Sequence, residues 1–219
     1  MLYYILAAVI IVCIAVGAYM WIYYSAKAEE EEVILYTEEI TIMGKRTLRH
    51  YCGNYEIWEI FEFLSEEEAQ KCIDTAERLA RTTKIENKKS NMVARLTKEN
   101  YNLIEKIGKI ISSLMNTSIE HKDRFGIYKY IPGTNIEGHY DGCSSKKDKA
   151  CEEVEVSNII FLNNDYKGGE IYFRMLNLKI KPELGKMIMF KAYDKDGMLV
   201  PYSGFESMKI LNGMQYLLR

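Results

Sequence analysis

Proline and histidine are both scarce in this 219-residue chain, with three of each. So little proline excludes a Pro-rich linker or a polyproline module, and no internal repeat or low-complexity tract interrupts the sequence. A dominant charge is missing too: 29 basic against 31 acidic side chains leave a net charge of -2, and neither half is strongly basic. The electrostatic footprint of a nucleic-acid binder is therefore absent, and nucleic acid is not expected as a partner. The five cysteines include no Cys-x-x-Cys pair, and no histidine follows position 139, which excludes the common zinc patterns. No Ser/His/Asp triad, phosphate loop or paired-carboxylate site stands out.

Charge is also missing from residues 2–24, which form one continuous apolar run. About twenty residues at helical rise cross a bilayer core. Tyr3, Tyr4, Trp21, Tyr23 and Tyr24 stand at the two ends of the run, where interfacial aromatic residues collect. A cleaved signal peptide, with Ala26-Lys27-Ala28 as its cleavage site, competes with this reading. Signal peptides have a basic start and a shorter apolar core; this run has neither, so a single-pass membrane anchor is the expectation. Its orientation stays open. Lys27 alone favours a cytosolic domain by the positive-inside rule, and the acidic 29–32 segment shifts the balance the other way. The Asn116-Thr-Ser sequon matters only on the lumenal or external side.

After a charged linker, residues 33–42 are rich in β-branched side chains and predict a strand. Residues 44–53 carry two glycines and four basic side chains and predict a loop; 55–64 alternate in part and predict another strand. Ser65 with Glu68 forms a capping box, and Ala69, Cys72, Ile73, Ala76, Leu79 and Ala80 give the following helix its apolar stripe. A polar loop over 82–90 precedes a second helix from Thr97, striped by Leu103, Ile104, Ile107, Ile110, Ile111 and Leu114. From Arg124 onward short strands alternate with turns, at 124–130, 136–141, 154–162, 170–173, 178–181, 186–191, 198–202 and 208–218. Strands so spaced, with a helical cover, fit a double-sheet jelly roll. Cys143 and Cys151 bracket a polar loop that a disulfide closes or that leaves two free thiols. His50 and His121 are expected as ordinary surface or capping residues.

One stretch carries chemistry. His139-Tyr140-Asp141 sets an imidazole and a carboxylate two residues apart, which on a strand puts both on one face. That is two thirds of a 2-His-1-carboxylate facial triad. The surrounding motifs resemble the prolyl 4-hydroxylase-like Fe(II)/2-oxoglutarate dioxygenases. Phe63 to Glu68 is similar to the family's helix entry, and the run from Arg124 to Gly133 followed by His139-Tyr140-Asp141 resembles its first core strand and metal strand. The segment from Asn158 to Glu170, with Gly168-Gly169-Glu170, and the segment from Lys181 to Phe190 also resemble family strands and turns. The resemblance covers residues 55–219 and implies an α+β double-stranded β-helix (jelly roll) with helices packed on one sheet. Tyrosine, lysine, isoleucine and asparagine, all with AT-rich codons, are abundant, and the compactness looks like versions encoded by large DNA viruses.

In that family a third ligand, a histidine, stands eight residues before a glycine, and a Lys or Arg two residues after the glycine binds the far carboxylate of 2-oxoglutarate. Counted from Gly213, those positions here are Phe205 and Gln215. The expectation is thus three parts: an anchor over 1–24, a linker and first strand over 25–54, and a dioxygenase-like domain over 55–219. That domain is expected to be a binding or assembly module without catalysis, on a virion or host endomembrane, with a protein partner and no cofactor. His139 and Asp141 are then the remnant of a metal site. The alternative is an active hydroxylase in which His139 and Asp141 hold Fe(II) with a third donor from Glu206, Tyr202 or water. There 2-oxoglutarate leans on Gln215, Tyr128 or Arg219.

Overall fold

The computed structural model describes residues 33–82, 92–95, 101–115, 125–143 and 156–219. The apolar run over 2–24, the Asn116 sequon, His121, Cys151 and the polar loop over 83–90 lie outside them. Among the described residues no helix is long and apolar enough to cross a membrane.

Residues Leu35–Arg219 make one compact unit. Its strands are β1 (Tyr36–Ile42), β2 (Lys45–Cys52), β3 (Tyr55–Ile60), β4 (Met92–Arg95), β5 (Gly126–Tyr130), β6 (Ile136–His139), β7 (Val156–Phe161), β8 (Lys167–Gly168), β9 (Ile171–Phe173), β10 (Leu178–Ile180), β11 (Met187–Lys191), β12 (Phe205–Ser207), β13 (Ile210–Asn212) and β14 (Gln215–Leu218). Among the described residues two helices, α1 (Glu66–Thr82) and α2 (Tyr101–Met115), accompany them. The larger sheet has eight strands in the order β1-β2-β3-β11-β7-β14-β5-β4, a smaller one has four, in the order β10-β9-β12-β6, and β13 pairs with β8 in a two-stranded sheet. This is the antiparallel jelly roll with helical cover that the strand spacing predicts.

The core divides by strand alternation. Trp58, Ile60, Ile127, Ile160, Met187, Met189, Tyr216 and Leu218 face the helices, where Ala69, Cys72, Ala76, Ile104, Ile107 and Ile111 meet them. Ser65 caps α1 as expected: the Glu68 amide donates to Ser65 Oγ and the Ser65 amide to the Glu68 carboxylate. The opposite face of the large sheet meets the small one. Phe190 of β11 packs edge-on against Phe173 of β9 and Phe205 of β12, with centroids 5.1 and 5.4 Å away.

Three expectations are corrected. Residues 45–52 are a strand, not a loop, because the glycines that suggested a loop are hairpin turns at its two ends. Met43 and Gly44 both take positive φ (51° and 73°), the two-residue turn whose twist matches the strands it joins, while Gly53 opens the turn into β3. The 198–202 stretch is not a strand: it holds one bridge, Tyr193 to Leu199, and then a short 3-10 turn over Pro201–Ser203. Residues 208–218 break into β13 and β14 at Gly213, where φ is 76° and an added Cβ would sit 2.8 Å from the Asp165 carbonyl.

His50 is also no surface residue. It is 5% exposed, its Nε2 lies 2.7 Å from Glu59 Oε1, and Thr37 Oγ1 lies 2.8 Å from its Nδ1. Lys186, 2% exposed, donates to Glu59 and Glu183 at 2.9 and 3.0 Å. Burial works to raise the Glu59 carboxyl pKa, and the His50 hydrogen bond and the Lys186 charge overcome it and leave the value lowered. Cys143 is disulfide-bonded, its partner lying outside the described residues, while Cys52 and Cys72 are free.

Glu59→Ala leaves the buried Lys186 ammonium with the exposed Glu183 carboxylate alone and should cost about 3 kcal/mol in urea unfolding. The double change Glu59→Leu with Lys186→Met should recover most of that loss, because it removes both charges together. A single change as harmless as the double would show that the pair is not a buried ionic unit.

Candidate functional site

β6 ends at His139, and Asp141 lies beyond it in a bend, so strand alternation is not what brings the two together. They still meet: His139 Nε2 is 3.4 Å from Asp141 Oδ1. The other ring nitrogen, Nδ1, is 3.0 Å from the Glu137 carbonyl. A carbonyl only accepts, so Nδ1 carries a proton and Nε2 is the atom turned toward the carboxylate.

Phe205 stands directly opposite His139 in the β12–β6 register. Its ring centroid is 4.6 Å from that of the imidazole, and the side chain is 2% exposed. It belongs to the aromatic cluster with Phe173 and Phe190 that joins the two sheets. The position expected to supply a third metal donor is filled by a packed phenyl ring without lone pairs.

The main partner of Asp141 comes from the other sheet. Arg219 follows β14, and its Nη2 donates to Asp141 Oδ1 and Oδ2 at 2.7 and 2.9 Å. Its Cζ lies 5.4 Å from the Phe205 centroid and 5.8 Å from that of Tyr128. Burial pushes the Asp141 carboxyl upward, but the neighbouring His139 ring and the Arg219 charge prevail and hold it at about 2. Burial likewise opposes the Arg219 charge, and Asp141 more than offsets it.

Gln215 is fully buried. Its Nε2 donates to the Gly169 carbonyl at 3.0 Å and to the Tyr166 hydroxyl at 2.9 Å. The carbonyl fixes which end of the amide is nitrogen, and among the described residues Oε1 has no partner. Gly169 is required for this approach: a Cβ there would lie 2.6 Å from Gln215 Nε2. Tyr128 and Tyr130 lie on the same face of β5 with rings stacked 6.4 Å apart. Glu206 points to the opposite face from Phe205 and holds Arg174 at 3.0 Å. The Tyr202 ring sits 6.0 Å from that of Tyr55.

These residues, as arranged, do not fit an Fe(II) facial triad. Two donors are present, a phenyl ring holds the third position, and the carboxylate already has a cation. Nor do they fit the far carboxylate of 2-oxoglutarate, which would meet a neutral amide whose donors are spent. Among the described residues no group of three or more His, Cys, Asp or Glu side chains could hold a metal ion. The role of Arg219 as partner of Asp141 was not expected. The signal was available: 215, 217 and 219 share one strand face, so the arginine belongs to the same interior as Gln215.

The low pKa of Asp141 has a consequence for acid stability. A carboxyl held near 2 in the folded chain and near 4 when unfolded contributes about 2.5 kcal/mol. That contribution is complete above pH ~4 and is lost as pH falls toward 2. Arg219→Gln should therefore flatten the acid limb of stability between pH 4 and pH 2, followed by urea midpoints; an unchanged limb would separate Asp141 from Arg219.

No protein-family model matches the chain. A curated protein of Acanthamoeba polyphaga mimivirus, named "Putative prolyl 4-hydroxylase", is 24% identical over 126 residues. The match takes in 54% of this chain and 52% of that protein, so the chain spans about half the length of the curated relative it matches. Among solved structures, the viral collagen prolyl hydroxylase vCPH of Paramecium Bursaria Chlorella virus-1, in its 2OG complex, superposes with a TM-score of 0.59. It is 24% identical, with 74% of this chain and 92% of that one covered. A Pseudomonas putida prolyl-4-hydroxylase gives a TM-score of 0.51 at 14% identity, with 76% and 86% covered. Motif order, a viral protein similar in sequence and two hydroxylases similar in fold agree: the chain resembles the prolyl 4-hydroxylase-like Fe(II)/2-oxoglutarate oxygenases and shares their fold.

Proposed function

We propose that residues 55–219 form a non-catalytic member of this fold, held to a membrane by residues 2–24 and serving as a protein-binding or assembly module. The observation that carries the reading is the contact between Phe205 and His139, ring on ring at 4.6 Å, where a ligand would need to stand. Gln215 supports it independently. A buried carboxylate that loses its charged partner gives up about 2–5 kcal/mol, some thirty- to several-thousand-fold in affinity. The β-rich scaffold and its turns are retained, so the fold still presents a stable surface. Fold alone does not name the partner.

A second reading keeps catalysis. The Nδ1 proton of His139 is held by the Glu137 carbonyl, the outer-shell arrangement that orients metal-binding histidines. On that reading the substrate is a peptidyl proline, as the names of the relatives suggest. It requires Asp141 to exchange Arg219 for a metal.

Anaerobic calorimetric titration of the full-length chain with Fe(II), with and without 2-oxoglutarate, distinguishes the two. No micromolar binding and no enhancement by 2-oxoglutarate are expected. Micromolar binding strengthened by 2-oxoglutarate would establish the second reading in place of the first.

A further inference from the structure

We infer that the Arg219 guanidinium holds the place of a bound cation at Asp141, so that charge, and not only the missing imidazole, closes this site to divalent metals. The inference rests on the non-catalytic reading and extends it to a residue outside the ligand motif. Arg219 reaches from the large sheet to a carboxylate beyond the end of the small one, and a single nitrogen donates to both oxygens at 2.7 and 2.9 Å. Those are the oxygens a metal would need. The side chains of Arg219 and Asp141 are only 18% and 16% exposed, so solvent screens the pair weakly. An arginine does not deprotonate in proteins, so no pH change within the folded range frees the carboxylate.

Phe205 and Arg219 are also suited to each other. The phenyl ring that cannot ligate a metal offers its π face to the guanidinium at 5.4 Å, and Tyr128 offers a second ring at 5.8 Å. A cation beside aromatic faces is stabilised by the ring quadrupole. A second, doubly charged cation at Asp141 would meet the fixed charge of Arg219 at close range in a poorly screened interior. Returning an imidazole to position 205 therefore restores a donor and leaves the repulsion in place. It also removes one of the rings that holds the guanidinium.

The test titrates Co(II) alone into the full-length wild type, F205H, F205H/R219Q and F205H/R219K, with circular dichroism confirming that each is folded. F205H/R219Q should bind at least tenfold more tightly than F205H, and F205H/R219K, which keeps the charge, should resemble F205H. Equal binding by F205H and F205H/R219Q overturns the inference, as does tight binding by F205H/R219K or no binding by any variant. In each of those cases a silent wild type leaves the non-catalytic reading standing, whereas micromolar binding by the wild type ends that reading itself. Should F205H/R219Q not fold, a cycle of D141N, R219Q and D141N/R219Q in the wild-type chain reads the pair through melting temperature. The double variant should lose less than the sum of the single losses, and strict additivity overturns the inference.

Discussion

Taking a carboxylate out of water costs several kcal/mol unless a cation and hydrogen bonds replace the water. At Asp141 the replacement is Arg219, and much of the neighbouring structure follows from that choice. The pair bridges the two sheets at the end of β14, so it fixes the bend after β6 relative to the large sheet. It also fixes the requirements for the residues around it. A guanidinium lying between sheets is best met by flat, electron-rich faces, and Phe205 and Tyr128 present them. His139 also packs against Phe205, its ring held through Nδ1 by the Glu137 carbonyl. In this arrangement the imidazole and carboxylate keep a structural use that does not involve a metal.

The same solution recurs elsewhere in the large sheet. Glu59 on β3 is enclosed with Lys186 and His50, and there too an acid is kept ionised by a buried cation beside an aromatic ring, Lys186 lying 5.0 Å from the Phe61 centroid. Between these polar units the sheets meet through Phe173, Phe190 and Phe205. Buried ion pairs contribute less to net stability than hydrophobic residues of the same volume, but they tolerate one arrangement and penalise others. Here each pair joins segments far apart in sequence, Asp141 with Arg219 and Glu59 with Lys186.

Much of the fold was legible because its signals are local. The Ser65–Glu68 capping box and the apolar stripes of both helices read directly as α1 and α2, and turn residues punctuated most of the strands. The errors arose where one residue type serves two purposes. Gly44 and Gly53 suggested a loop, yet they are the tight turns that make β2 possible, and the β-branched and aromatic residues that could have argued for it are few. The 198–202 stretch has strand-like composition, but Pro201 lacks an amide to pair and begins a 3-10 turn. His50 was misplaced because burial of a polar side chain depends on partners brought by distant strands, and Lys186 lies 127 residues from the Glu59 it serves.

The candidate site shows a different limit. The family spacing could identify Phe205 and Gln215 as positions where expected chemistry is missing, since a substitution is visible in one residue. What fills the resulting space is a property of the set. Gln215 becomes an internal hydrogen-bonding residue because Gly169 lets its amide approach the backbone, and Phe205 becomes a packing residue because Phe173 and Phe190 are already aromatic. Arg219 joins that set through strand alternation, two positions beyond Leu217 and four beyond Gln215, on the face that looks inward. On the proposed reading the site holds no metal. Its remaining carboxylate, once buried, still requires positive charge, and a nearby inward-facing arginine meets that requirement permanently.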